Sequence, residues 1–328
     1  MKPDIVTGAT GQVGLELCRA LVAAGRTVRA VVVPGDRITP TLTQLGIETV
    51  EADVRDVPAL RDAIDGAAHL YHLAAIVSTT PRHDPRMWQV NVEGARNVAT
   101  LARTQGAQRL IYFSSIVVFE PDPTDQPLDE RRPRVPVAGA APYVQSKIVG
   151  EQVVREQIEL GLDAVIVHPT VVIGANEVHH AGVVRNLLFR YFDRALPAVF
   201  RGGFDAVAAA DVVQGAIAAA TAGHAGHSYI LSGQFHSIRD LLRRTRPWCG
   251  APIPRVAIPI TLARSGLPLV EIAARLTGRP PAFTPEDLRQ MVGNRQISHA
   301  KAEHELGYRP NGLDTALRDV YEAWQRRT

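Results

Sequence analysis

The sequence is short of the features that mark several protein classes. Among its 328 residues are two cysteines, Cys18 and Cys249, far apart in the chain. Two distant thiols build no disulfide framework, which fits a reducing compartment and makes a cytoplasmic protein the expectation. Charge of one sign is also scarce. The 36 Lys and Arg against 33 Asp and Glu leave a formal net charge of +3, too mild to argue for a nucleic-acid partner. The densest basic stretches, Arg131-Arg132-Pro133-Arg134 and 239–246, interleave with Asp, Glu, Leu or Pro and read as solvated faces.

No uninterrupted apolar run of membrane-spanning length occurs, so no integral membrane segment is expected. Residues 256–276 come nearest, but they contain Arg264, Glu271 and Arg275 as well as Pro259 and Pro268. They read as partly buried helices over an apolar pocket. No apolar leader follows Met1-Lys2-Pro3-Asp4, so a secretory signal is not expected. No His, Cys and carboxylate spacing of ligand type is seen, so no metal is expected either.

What is present is an ordinary globular composition, 46% hydrophobic and 21% charged, in a chain long enough for one or two domains. Short apolar runs at 4–7, 27–33, 69–72, 110–114 and 164–168 alternate with helical patterns at 13–24, 57–64, 87–104 and 142–159. That alternation predicts an α/β fold, a doubly wound parallel sheet with helices on both faces. Beyond residue 174 the pattern loosens, with a late strand expected at 229–231. The expected division is a dinucleotide-binding domain from 1–175 and 205–233 and a smaller, mostly helical substrate lobe from 176–204 and 234–312. An amphipathic helix at 313–328 ends the chain. Residues 120–141, rich in Pro and charge, predict an exposed loop beside the site.

The first strand runs into Gly8-Ala9-Thr10-Gly11-Gln12-Val13-Gly14. Gly8 permits a tight turn, Gly11 lets backbone approach a pyrophosphate, and Gly14 allows close contact of helix and strand. The helix N-terminus then offers free N–H groups to the phosphates. The triplet alone is a weak signal, and its place in a strand–turn–helix context is what gives it weight. Asp53, after a third apolar strand, is placed to accept from an adenine amino group, or else to cap a helix.

Tyr143 and Lys147 are four residues apart on a helix, hence on one face. Ketone reduction needs a proton on the developing alkoxide, and a phenol with a pKa of about 10 needs a nearby cation to favour its phenolate. Lys147 supplies a cation. Ser114 and Ser115, at the end of a strand, offer a hydroxyl to the same oxygen. A Tyr-x-x-x-Lys spacing recurs by chance, and it carries weight here in combination with the glycine loop and the strand-end serine.

Together with Asp53-Val54, His72-Leu73-Ala74-Ala75 and Asn91-Val92-Glu93-Gly94, these motifs make the whole chain resemble an extended short-chain dehydrogenase/reductase. The resemblance implies Tyr143 as acid/base, Lys147 as its partner and ribose ligand, and Ser115 as the carbonyl-orienting hydroxyl. Ser115 is favoured over Ser114 because four residues separate it from Phe119, where the family usually has an aromatic. It implies a cofactor held by Gly8, Thr10, Gly11, Gln12, Val13, Asp53, Val54, Ala74, Ala75, Pro169, Thr170 and Val172. It further implies homodimers built from the helices at 87–104 and 142–159. His168-Pro169-Thr170-Val171-Val172-Ile173-Gly174 looks like the branch of 3β-hydroxysteroid dehydrogenases and dihydroflavonol reductases. Valines stand where sugar-nucleotide epimerases carry an Asn, and Phe119-Glu120 replaces the family's Tyr-Gly.

The second strand ends in Val31-Val32-Val33, with neither an acid nor an arginine to select the cofactor. Asp36 can reach a ribose diol and Arg37 a 2′-phosphate; a glycine loop without basic residues tips the reading to NAD(H) over NADP(H). The expected pocket draws on 76–81, 117–119 and the segment after Gly174. Val77, Ser78, Val117 and Tyr143 face the substrate, and His179-His180 stand at the mouth or as an exposed pair. Its apolar character predicts a hydrophobic ketone or secondary alcohol. The competing readings are a cofactor-retaining sugar-nucleotide epimerase or dehydratase and a non-catalytic dinucleotide sensor.

Overall fold

The computed structural model describes residues 2–78, 83–175, 182–277 and 283–327. Its strands are β1 (Asp4–Thr7), β2 (Val28–Val32), β3 (Glu48–Glu51), β4 (His69–His72), β5 (Arg109–Phe113) and β6 (Ala164–Pro169). After them come β7 (Val171–Ile173), β8 (Ala198–Phe200), β9 (Gly203–Ala208), β10 (Ser228–Leu231), β11 (Gln234–Ser237) and β12 (Val256–Ile258). Seven of them form one sheet in the order β10-β6-β5-β4-β1-β2-β3, every neighbouring pair parallel. The doubly wound fold expected from the sequence is therefore present. Its strand order reverses between β1 and β4, the crevice where such sheets bind ligands.

Alternation along the strands builds two cores. Val6, Tyr71, Ile111, Phe113, Val165 and Val167 face one side, while Ile5, Leu70, Leu110, Tyr112, Ala164 and Ile166 face the other. Both sets are covered, so the strands read as continuous apolar runs. The first side is covered by α1 (Gln12–Ala23), which packs with α8 (Ala209–Ala222) and α12 (Ala300–Leu306). The second is covered by α3 (Val57–Ile64), α5 (Gly94–Thr104) and α6 (Pro142–Glu159). The short helices α2 (Thr39–Gln44) and α4 (Pro85–Trp88) complete this half. Pro142 opens α6 as its spacing predicts. The helix expected over 87–104 is interrupted by a wide π-turn over Gln89–Glu93. There the Asn91 side chain accepts from Ile76 N at 2.8 Å and donates to Ile76 O and Ser146 Oγ, each at 2.9 Å.

The remaining helices are α7 (Val183–Phe192), α9 (Ile238–Cys249), α10 (Ile260–Thr277), α11 (Pro285–Gln290) and α13 (Asp314–Gln325). Leu188, Phe204, Leu241, Leu317 and Val320 share a separate core, so the final amphipathic helix is a wall of this second lobe. Two small sheets, β11-β9-β7 and β12-β8, were not anticipated. Strands of three to six residues are too short to show a period. β9 thus joins a small sheet, while α8 and β10 belong with the large one.

The loop expected at 120–141 is present and mostly exposed or half-buried, with two buried anchors. Leu128 and Val135 are 2% and 8% exposed and pack with Phe119, Val144 and Ile148. Main-chain bridges pair Phe119 with Arg134 and Leu128 with Ile297. A high content of Pro and charge hid two apolar anchors that staple the segment down. Among the described residues, no helix is long and apolar enough to cross a membrane, and no group of three or more metal-ligating side chains comes together.

Candidate active site

β1 ends at Thr7 and the chain turns at once. Gly8 takes φ of +68°, a region that residues with a side chain avoid. A Cβ at Gly14 would lie 2.1 Å from Gly8 O, a clash with backbone that cannot give. At Gly11 the nearest atom to such a Cβ is Gly8 O at 3.2 Å, so its outer face is open. Gly11 caps α1 without a side-chain hydrogen bond, and the first turn of α1 has no acidic residue. Its unpaired N–H groups and the positive end of the helix dipole therefore point toward the crevice, a fit for a pyrophosphate.

Beside this turn, Thr10 Oγ1 donates to Asp36 Oδ2 and Ile38 N to Asp36 Oδ1, each at 2.8 Å. Arg37 is exposed. The Asp53 carboxylate, expected to meet an adenine, is clasped by Arg55 Nε at 2.9 Å and Nη2 at 2.6 Å. That hydrogen-bonded guanidinium holds it below the usual carboxylate range. The Val54 side chain is core, packed on Gly94, and Ala74 backs onto Gly8 through its main chain.

At the other end, the strand-end serine and the helix α6 converge. Lys147 is buried, and its Nζ donates to Phe113 O at 2.7 Å. Burial pulls its pKa down to about 8, while Glu151, one turn further along α6, opposes that shift. Burial pushes Tyr143 up to about 12; the Ser115 hydroxyl favours its phenolate, and the Glu286 carboxylate disfavours it. The expected lowering of the phenol by Lys147 is therefore not met in the protein by itself. The ammonium is committed to the Phe113 carbonyl, and burial of the phenol dominates. His72, 2% exposed, is paired with Thr7 Oγ1 at 2.7 Å, and burial depresses it to about 3, so it is neutral.

The glycine turn, Ser115, Tyr143 and Lys147 share a cleft of about 560 Å³. Of the residues singled out in the sequence, it is lined by Gly8, Gly11, Gln12, Val13, Ala75, Val77, Ser115, Val117, Tyr143, Lys147, Pro169, Thr170 and Val172. Thr10, Asp36, Arg37, Asp53, Val54, Ala74 and Ser78 are not among its lining. His179, His180 and residues 79–81 lie outside the described residues.

Sequence reasoning missed one wall. Phe204, Asp205, Glu286, Arg289, Asn294 and Ile297 come from the second lobe to line the same cleft. Glu286, 6% exposed, receives Arg289 Nε at 3.1 Å and Gln290 Nε2 at 3.3 Å. Asp205 is buried, and desolvation raises its carboxyl to about 6 against Gly233 N–H and Thr170, which favour the charged form. One signal was legible: Thr284-Pro285-Glu286-Asp287 forms a reciprocal capping box that starts α11.

Comparison with known proteins follows the same lines. Residues 5–232 match the NAD dependent epimerase/dehydratase family. The chain is 31% identical over 324 residues to sterol demethylase protein B of Methylococcus capsulatus, covering 98% of each chain. It is 26% identical over 324 residues to a 3-beta-hydroxysteroid dehydrogenase of Mycolicibacterium neoaurum, covering 93% of this chain and 86% of that one. The crystal structure of gox2253 superposes with a TM-score of 0.85 at 30% identity, covering 100% of this chain and 99% of the other. The match runs from β1 through the glycine turn, Ser115, Tyr143 and Lys147 to the end of β10. This chain belongs to the NAD dependent epimerase/dehydratase family, and it is a nicotinamide-dependent enzyme acting on CH–OH or carbonyl groups.

Proposed function

We propose that the protein is a dehydrogenase/reductase that interconverts a hydrophobic ketone and its secondary alcohol, with NAD(H) as cofactor. One observation carries the reading: Tyr143 and Ser115 open onto a cleft walled by Val77, Val117, Phe119, Leu128, Phe204 and Ile297. Such a wall accepts an apolar body and offers a pair of hydroxyls to one oxygen. The similarity to sterol demethylase protein B supports a substrate of that character.

The residues present fit a dinucleotide. Gly8, Gly11, Gln12 and Val13 would hold its pyrophosphate, Tyr143 and Lys147 its nicotinamide ribose, and Ala75, Pro169, Thr170 and Val172 its ring. When bound, the nicotinamide supplies or accepts the hydride. The chain's own groups handle the proton. Tyr143, with a pKa of about 12, keeps its phenolic proton at neutral pH and donates it to the substrate oxygen during reduction. Ser115 Oγ hydrogen-bonds the same oxygen and orients it. Lys147 fixes the phenol's setting and favours loss of its proton once its ammonium is turned toward it.

The choice of NAD(H) rests on Asp36. Its carboxylate, fixed by Thr10 and Ile38 beside the glycine turn, accepts from a ribose diol and repels a 2′-phosphate. A homodimer through the outer sides of α5 and α6 is part of the same proposal, and light scattering of the purified protein checks it. The functional test is a panel of apolar ketones and alcohols followed by NADH absorbance. Net consumption of NADH by an apolar ketone is the expected result. Turnover of a sugar nucleotide without net change in NADH would replace this reading by an epimerase.

A further inference from the structure

A second cavity of about 550 Å³ lies in the second lobe and shares no lining residue with the first. Arg201, Arg239, Arg255 and Arg295 all line it, together with Phe235 and Ser237. Among the described residues, none of these arginines has a carboxylate within ion-pair distance. Arg201, Arg255 and Arg295 are exposed. Four like charges around one concavity repel each other.

Arg239 gives the cavity a built component. Its Nη2 donates to Pro254 O at 3.2 Å and Arg255 O at 2.8 Å, which fixes the guanidinium in place. Its Nε is buried and has no hydrogen-bond partner. A buried donor without an acceptor is costly, and a neighbouring anion lowers that cost. Arg295 lies 5.0 Å from the centroid of the Phe235 ring, so its guanidinium plane is braced by an aromatic face. Ser237 caps α9 by accepting from Asp240 N at 3.1 Å and brings the N-terminal end of that twelve-residue helix to the cavity, while the Asp240 carboxylate of its first turn is engaged by His236 and Arg244.

We propose that this cleft is a binding site for a phosphate group carried on an organic body. Phosphate offers several acceptor oxygens and up to two negative charges, which suits guanidiniums that fork in different directions better than a carboxylate does. The volume exceeds that of a lone ion, and Phe200 and Phe235 supply an apolar wall for the attached group. The group is carried either by an anionic phospholipid or by a soluble phosphoester. Asn294 lines the first cleft and its neighbour Arg295 the second. The two sites thus share one wall.

The test uses the full chain saturated with NADH, so that the glycine turn is already filled. Pyrophosphate is titrated by calorimetry, and sedimentation is measured with phosphatidylcholine vesicles with and without ~25% phosphatidylglycerol. Pyrophosphate is expected to bind, and Arg255→Ala/Arg295→Ala to weaken it at least about tenfold with unchanged Tm and NADH affinity. If the alanine pair lowers Tm, Arg255→Gln/Arg295→Gln takes its place. Sedimentation that requires phosphatidylglycerol and these two arginines assigns the phosphate to a lipid headgroup; pyrophosphate binding without it assigns a soluble phosphoester. Failure of pyrophosphate to bind the wild-type protein overturns the proposal. So does equal binding of pyrophosphate or of vesicles by the arginine variants.

Discussion

Glu151 and His168 meet at 2.7 Å between carboxylate Oε2 and imidazole Nε2, one turn of α6 beyond Lys147. The same carboxylate receives Ser114 Oγ at 2.7 Å and Arg134 Nη2 and Arg155 Nη2 at 2.8 Å each. Burial alone would raise Glu151, but His168 and the two arginines hold it well below the ordinary carboxylate value. Helix α6 is thus tied to β5, β6 and the 134 segment through one buried anion.

Removing that charge while keeping its shape separates two effects. Glu151→Gln leaves Arg134 and Arg155 without their acid and is expected to cost about 3 kcal/mol of stability. It also withdraws the group that raises Lys147, so the Lys147 pKa falls below its value of about 8. The alkaline limb of the kcat/KM profile should then move to lower pH. An unshifted limb in the folded variant would show that Lys147 charge does not depend on Glu151.

Tyr143→Phe deletes the proposed proton donor and keeps the ring. The expected loss in kcat is about 10³-fold or more, with NADH binding retained. Ser115→Ala is expected to lose about 10²-fold, mostly in kcat, because the hydroxyl acts on charge that develops during reaction. A Tyr143→Phe variant with full turnover would remove this residue from the mechanism.

The glycines of the first turn make a sharper comparison. Alanine at Gly14 drives a methyl to 2.1 Å from Gly8 O, and the backbone must move. Gly14→Ala is expected to lower stability by more than about 3 kcal/mol. At Gly11 the methyl meets only Gly8 O at 3.2 Å and otherwise points into the crevice. Gly11→Ala should keep a Tm within a few degrees of wild type yet bind NADH at least about tenfold more weakly. Calorimetric unfolding and NADH fluorescence titration distinguish the two.

How far these residues were legible follows from the range of the forces involved. The glycine turn, Pro142 and the Tyr143–Lys147 face are local, and each lies where its spacing put it. Asp205 and Glu286 were not legible, because their roles come from being carried across the cleft by β9 and α11. Nothing within a few residues of either announces a ligand. Composition places the 120–141 segment at the surface but reports average polarity, so it does not reveal Leu128 and Val135, which act as single anchors. The phenol's pKa failed as an expectation for a similar reason. Spacing puts Lys147 on the face of Tyr143, but only the fold gives its ammonium the Phe113 carbonyl.

On the proposed reading, cofactor choice turns on the Asp36 carboxylate held by the Thr10 hydroxyl. Asp36→Arg replaces the acceptor fixed by Thr10 Oγ1 with a cation at the expected 2′-position. The NADPH-to-NADH ratio of kcat/KM is expected to rise by about 10²-fold or more, the scale of a few kcal/mol in binding. Wild-type protein with a lower KM for NADPH than for NADH would contradict the assignment of Asp36 to a ribose diol.

Asp205 offers a test of pH dependence in which the sign is fixed beforehand. Desolvation raises its folded pKa from 3.8 to about 6, so between those values the folded state binds a proton that the unfolded state releases. Its favourable contribution is therefore complete below 3.8 and is lost as pH rises through about 6. Asp205→Asn keeps an oxygen to accept the Gly233 N–H, which sits at 3.0 Å from Oδ1, and removes the titration. The variant should match wild type near pH 4 and exceed it by on the order of 2–3 kcal/mol near pH 7.5. Urea unfolding of both proteins across that range measures the difference directly. A constant offset at every pH would mean that the Asp205 carboxyl is not desolvated in the folded protein.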